Sequence, residues 1–293
     1  MMRDAFVRTA SELLDEDPRT AVVLAEISAA NFRDAQRAHP DRVVNVGIRE
    51  QLMVGVTGGL ALTGLRPIAH SYATFLVDRA YEQIKLDVDH QDVGAVLVSV
   101  GASYDDSTAG RTHHSPGDVA LFDTLDRWTV HVPGHPDEVP PLLRAAARHD
   151  GRVYLRLSTQ ENATAHHTGP RLKTFREGRQ AAVIAVGPVL DRVLRATEGL
   201  DVSVAYTNTP RPFDAAGVRA LGHRRVVLVE SYLKGTSARQ LGEALAGVPN
   251  ESLYLGVGRE DPRRYGTPAD HDAWHGLDEA GLRRSISAFL PAS

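Results

Sequence analysis

The chain has 293 residues, 42% hydrophobic and 24% charged, with a formal net charge of −4 and no cysteine. That length exceeds one ordinary core and predicts two domains of roughly 120 to 170 residues each, while the small negative charge argues against nucleic acid as a partner. Without cysteine there is no disulfide, thiolate zinc site or cysteine nucleophile, which suits a cytoplasmic protein; no apolar run approaches the roughly 20 residues that a bilayer span needs.

In chain order, Phe6, Val7, Ala10, Leu13 and Leu14 have the spacing of an amphipathic helix, and the acidic character of this segment predicts neither a signal nor a transit peptide. Short β-branched runs at 20–27, 42–48, 66–71 and 94–101 then alternate with helical patterns from Arg49 to about Leu62 and from Phe75 to about His90. The alternation predicts a parallel sheet with helices on both faces. The polar, glycine-containing stretch 102–116 is longer than a connection needs, which makes it a functional candidate. Strands are expected at 128–133 and 152–158, with a helix from Asp137 to Arg148 between them.

Residues 159–180 are polar and turn-forming, as an interdomain crossing is. The expected division is a first domain at 1–165, a linker at 166–180 and a smaller α/β domain at 181–293, the last with strands at 181–189, 201–209, 224–231 and 252–258. No internal repeat is evident, and the stretch after Gly258 reads as loop followed by a final helix near Glu279 to Phe289.

Two constellations stand out. The segment NVGIREQ, Asn45 to Gln51, is a strand that ends at glycine and opens a helix with Glu50 in its first turn. Parallel α/β sheets place ligand-facing groups there, at the carboxyl ends of strands. The plain alternative is that glutamate favours a helix N-terminus through the helix dipole. The loop THHSPGD carries the paired His113 and His114: imidazoles that move protons near neutral pH, or metal ligands, although no third ligand stands at convincing spacing.

The ordered set PDRVVNVGIREQ, LALTGLRPIAHSYATFLVDRAYEQI, TAGRTHHSPGDVALF and VYLRLS resembles the pyrimidine-binding domain of transketolases and deoxyxylulose-phosphate synthases. The segments TNTPRPFD at 207–214 and VVLVESYLKG at 226–235 resemble the C-terminal domain of that superfamily. The resemblance implies two α/β domains, each a mainly parallel sheet flanked by helices, and thiamine diphosphate as cofactor. It makes Glu50 the catalytic acid on the pyrimidine ring: protonating the ring nitrogen lowers the pKa of the exocyclic amine, which then takes the thiazolium proton. Burial would favour the protonated carboxyl that this role uses.

By the same resemblance Phe75, with Tyr72 and Tyr81, forms an aromatic wall against the ring; core packing is the plain alternative, and it accounts for Tyr81 equally well and for Phe75 less well. Ile48 and Glu26 join the cofactor-binding set, Glu26 having a solvated strand-end charge as its alternative. His113 becomes a catalytic and substrate-binding group, with His114 and Arg111 beside it.

The superfamily's diphosphate site needs a GDG motif and a downstream Asn, and the lone Gly-Asp pair here is Gly117 and Asp118. The resemblance therefore implies a separate partner chain that holds magnesium or calcium and the diphosphate, as an α2β2 assembly. Three departures stand out against the family: Ala109 where an acid touches a sugar hydroxyl, Thr159 where an arginine grips the substrate phosphate, and Gly101 where a histidine opens the loop. They imply a specialised enzyme moving a two-carbon ketol or acyl unit onto an unusual acceptor, a sugar or a carrier protein, with a substrate that is unphosphorylated or held by the partner. The competing readings are the β subunit of a 2-oxoacid dehydrogenase E1 component and a non-catalytic scaffold of the same fold.

Overall fold

A computed structural model of the chain describes residues 1–291. The first sheet contains β1 (Thr20–Leu24), β2 (Val43–Asn45), β3 (Arg66–Tyr72), β4 (Val96–Val100), β5 (Trp128–His131) and β6 (Arg152–Arg156). All pair in parallel, in the order β2-β1-β3-β4-β6-β5. Strands covered on both faces need apolar side chains on both, which is why β1 and β4 are buried throughout and read as unbroken runs.

Helix α1 (Met2–Glu16) lays Phe6, Ala10, Leu13 and Leu14 on one face of the sheet, together with the helix Val139–Ala147. After the short α2 (Arg33–Ala38), helix α3 (Glu50–Leu62) covers the other face with Met53 and Val54. It packs at backbone distance on the next helical segment: a Cβ on Gly58 would lie 2.2 Å from the Asp87 carbonyl oxygen. That segment, expected as one helix from Phe75, is instead two π-helical turns, Thr74–Arg79 and Ile84–His90, around the single α-turn Tyr81–Gln83. Wide turns of this kind re-aim side chains and concentrate at functional positions. The chain runs outward from β1 to β2 and returns to β3, so a crevice opens at the carboxyl ends of β1 and β3.

The second sheet has the order β11-β10-β8-β9-β7. Its parallel members are β8 (Ala181–Val186), β9 (Val202–Thr207), β10 (Arg225–Leu233) and β11 (Glu251–Val257). The antiparallel edge strand β7 (Lys173–Arg176) lies in the stretch read as a polar crossing. Half exposed at an edge, it carries no hydrophobic run to announce it. The helix Pro268–Trp274 likewise stands in a segment read as loop, started by a capping box between Thr267 and Asp270.

Buried polar groups join the sheets. The fully buried carboxylate of Glu138 accepts from the Tyr206 hydroxyl (3.0 Å), Asn208 Nδ2 (2.9 Å), and the backbone N–H groups of Gly134 (3.0 Å) and His166 (2.7 Å). Arg211 grips Asp123 with two nitrogens. Among the described residues no helix is long and apolar enough to cross a membrane.

Glu230, on β10, is fully buried with one oxygen lacking a hydrogen-bond partner, and burial pushes its carboxyl up to about 7 from the usual 4.5. Between those values the folded state keeps a proton that the unfolded chain has released, so stability falls as pH rises through the window and stays low above it. Glu230→Gln is expected to leave urea stability near pH 4 almost unchanged and raise it at pH 8 by roughly 3 kcal/mol, at about 1.4 kcal/mol per pKa unit. Equal gains at both pH values would discard burial of this charge as the cause.

Candidate active site

Strand β2 stops at Asn45, Gly47 turns the chain at φ +74°, and α3 begins at Glu50. A carboxylate placed only for the helix dipole sits in solvent; that of Glu50 is wholly buried. Ser71 Oγ donates to its Oε1 at 3.1 Å, and Arg79 Nη1 donates to its Oε2 at 2.7 Å. Asn45 braces the turn: its Oδ1 accepts from the backbone N–H of Glu26 and of Gly47, both at 3.1 Å, and its Nδ2 donates to Glu26 Oε2 at 3.0 Å. Glu26 and Ile48 are exposed, Ile48 to 72%, so they line an outer rim while Glu50 lies within.

Phe75, Tyr72 and His113 meet edge to face, with ring centroids 5.1 Å apart for Phe75 and His113, 5.6 Å for Tyr72 and His113, and 5.9 Å for Tyr72 and Phe75. The π-turn at Thr74–Arg79 brings the Arg79 guanidinium 4.2 Å above the Phe75 ring. Tyr81 stands apart from this group, its hydroxyl bonded to Thr124. The paired histidines also separate. His113 Nδ1 lies 3.0 Å from Thr112 Oγ1, whereas His114 is buried edge-on to His271 with Nε2 unpartnered. Burial, with His271 and Arg111 nearby, pulls His114 down to about 4 and holds it neutral. Arg111 is exposed, and no cluster of three or more potential ligands for a metal occurs among the described residues.

The loop holding His113 is anchored from below. Asp118 is fully buried, accepting from Arg156 Nε at 2.6 Å and from the Tyr154 hydroxyl at 2.7 Å. Arg156 Nη2 also reaches Ser103 Oγ at 2.8 Å, and Ser103 donates onward to the Ser231 carbonyl at 2.7 Å. The Leu233 N–H donates to the Pro116 carbonyl at 2.7 Å. The second domain thus clamps the loop at both ends. Burial of both charges in one pair makes Asp118 a structural anchor.

Beside the aromatic group lies a cavity of about 260 Å³ lined by Arg3, Tyr72, Gly101, Asp106, Ser158 and Thr159. The recessed Asp105 accepts from Thr159 N (2.9 Å), Ser158 Oγ (3.0 Å) and Ala102 N (3.1 Å), and burial pushes its carboxyl up to about 6. Gly101 has φ +75°, and a Cβ there would fall 2.3 Å from Tyr72 Cδ1, so Tyr72 occupies the space that a side chain at 101 would need. Sequence reasoning missed Arg3 and Arg79. Arg3 is remote in sequence from every motif in the site, and Arg79 sits within the segment that follows β3, where only the π-turn turns it toward Glu50.

Residues 1–164 match the family model described as the transketolase pyrimidine-binding domain. The chain belongs to the transketolase family, of which it carries the pyrimidine-binding and C-terminal domains. It is 53% identical, over 99% of its length and 95% of the relative, to an uncharacterized 33.6 kDa protein in the fasciation locus of Rhodococcoides fascians. It is 32% identical, over 97% of its length, to the 1-deoxy-D-xylulose-5-phosphate synthase of Alkalilimnicola ehrlichii, and spans only 47% of that protein. The B subunit of the apulose-4-phosphate transketolase of Actinobacillus succinogenes is 30% identical over 73% of this chain and 71% of its own. Among solved structures, a split-gene transketolase described as an inactive β4 tetramer superposes with a TM-score of 0.83 at 24% identity, covering 98% of this chain and 97% of that one.

Because an L-residue in the left-handed region costs roughly 1–2 kcal/mol and overpacking a further 1–3 kcal/mol, Gly101→Ala is expected to destabilise the protein by about 2–5 kcal/mol in chemical denaturation. A loss below about 1 kcal/mol would mean that Tyr72 yields freely.

Proposed function

We propose that this chain is the aminopyrimidine-activating subunit of a two-chain, thiamine-diphosphate-dependent transferase that moves a two-carbon ketol or acyl unit. The observation that carries the reading is the buried carboxylate of Glu50 and the face of Phe75, both within reach of the one Arg79 guanidinium: a carboxyl group and an aromatic surface are the pair of contacts an aminopyrimidine requires. Thiamine diphosphate, when bound, supplies the carbanion-stabilising chemistry. Glu50 holds a proton at the pyrimidine ring nitrogen, with Ser71 fixing the carboxyl in orientation. Phe75 and Tyr72 offer stacking surface, and Ile48 and Glu26 the rim. His113, half exposed and edge-on to both rings, hydrogen-bonds the donor's oxygen. The neutral, buried His114 serves to pack the loop, and the placement of Tyr81 supports a role in bracing Thr124.

The diphosphate and its divalent cation are assigned to a partner subunit in an α2β2 assembly. Ile48, Leu52 and Leu62 are exposed at and around α3, with Leu86 exposed on the following segment, and exposed apolar side chains of this size are what the core of an interface between subunits is made of. Two of the relatives, one half of an apulose-4-phosphate transketolase and a split-gene transketolase, support the division into two chains. Arg3 is the single cationic side chain among the described residues lining the cavity, and it offers an acceptor anion the charge-assisted partner that Thr159 lacks.

Glu50→Gln is expected to lower kcat/KM of the assembled complex at least about a hundredfold, the scale of a lost general acid, with assembly and melting temperature retained. Activity within threefold of the parent would end this reading. Arg3→Met is expected to raise KM about tenfold for a phosphorylated aldose acceptor, one charge-assisted contact, and to leave an unphosphorylated acceptor unchanged. Equal effects on both acceptors would remove Arg3 from substrate recognition.

A further inference from the structure

Glu50 is sealed. Its side chain is 1% exposed, and of its two side-chain partners Ser71 is fully buried while the Arg79 side chain is 39% exposed. The guanidinium of Arg79 therefore lies between the carboxylate and solvent. It does so while covering the ring of Phe75, with Cζ 4.2 Å from the centroid. A guanidinium is a planar, delocalised N–C–N array with donors on its edge and a face that stacks on aromatics. An aminopyrimidine has the same two features, a nitrogen-bearing edge and a flat face.

Resting on the function proposed above, the geometry points to Arg79 as a resident stand-in for the aminopyrimidine ring. It occupies the ring's two contacts, on Glu50 and on the face of Phe75, and swings toward solvent when the cofactor enters. The two groups exclude each other: a ring stacked on that face of Phe75 and bonded to Glu50 requires the volume in which the guanidinium stands. Arg79 can leave: its side chain is the most exposed of the three residues in contact, long and flexible, and a wide π-turn carries it. While in place it also gives a buried carboxylate the partner without which such a charge is strongly unfavourable. Arg79 is in this sense a positioning residue, holding Glu50 oriented before the cofactor arrives and competing with the cofactor for it.

The test is the affinity of the complex, assembled with its diphosphate-binding partner, for thiamine diphosphate in the presence of magnesium, measured by titration calorimetry. With Arg79→Met, which keeps length and removes charge, the dissociation constant is expected to fall about tenfold, because nothing has to be displaced. A variant that merely damaged the site would bind more weakly. Unchanged or weaker binding by the variant, with the parent binding normally, overturns the stand-in alone; absence of binding by both overturns it together with the function on which it rests. A structure of the parent complex with cofactor is a second arm that needs no variant. Arg79 withdrawn from the Phe75 ring is the expected result, and Arg79 still stacked on it and bonded to Glu50 overturns the proposal.

Discussion

A carboxylate placed out of reach of water is the constraint around which the first domain is arranged. Glu50 must have donors on both oxygens, because an ionised group in a low-dielectric interior is tolerated only when paired and hydrogen-bonded. The structure meets that demand from neighbouring β3 and its sequel: Ser71 from the strand and Arg79 from the π-turn that follows. A regular α-helical turn would present position 79 on a different bearing. The unusual backbone and the buried acid therefore explain each other, and both lie at the carboxyl edge of a parallel sheet, where the crevice opens.

The second domain acts on this site at a distance, by fixing the loop that carries His113. The Asp118–Arg156 pair, the Ser103 bond to the carbonyl of Ser231 and the Leu233 bond to Pro116 tie the loop to β6 on one side and to β10 on the other. With the loop held at its ends, His113 keeps its edge-on contacts to Tyr72 and Phe75. Glu138 adds a second connection between the domains through Tyr206 and Asn208. Interfaces built from satisfied buried polar groups hold one relative arrangement, since a slip would leave several of them without partners.

The departures from family pattern acquire physical content in three dimensions. Gly101 is glycine because Tyr72 lies where a side chain would stand. Thr159 offers no cation, and its backbone N–H donates to the recessed Asp105. The cavity is lined by one guanidinium, that of Arg3 on α1, and by the carboxylate of Asp106. The cavity wall thus carries both signs of charge, Arg3 with Asp105 and Asp106.

By itself the sequence determined the class of fold, two α/β units with their order of strands and helices. It also marked the strand-end glutamate, because a first-turn carboxylate is a local signal, and the family, through the resemblance of its ordered motifs. It did not reveal β7 or the helix Pro268–Trp274, whose mostly polar residues show no hydrophobic periodicity, nor that His113 and His114 face different surroundings, since adjacency along a chain says nothing of side-chain direction in a loop. Only the tertiary structure brought Arg79 onto Glu50 and Arg3 into the cavity. Those contacts depend on where a π-turn and the first helix come to rest against the sheet, a result of packing over the whole domain that no short stretch of residues encodes.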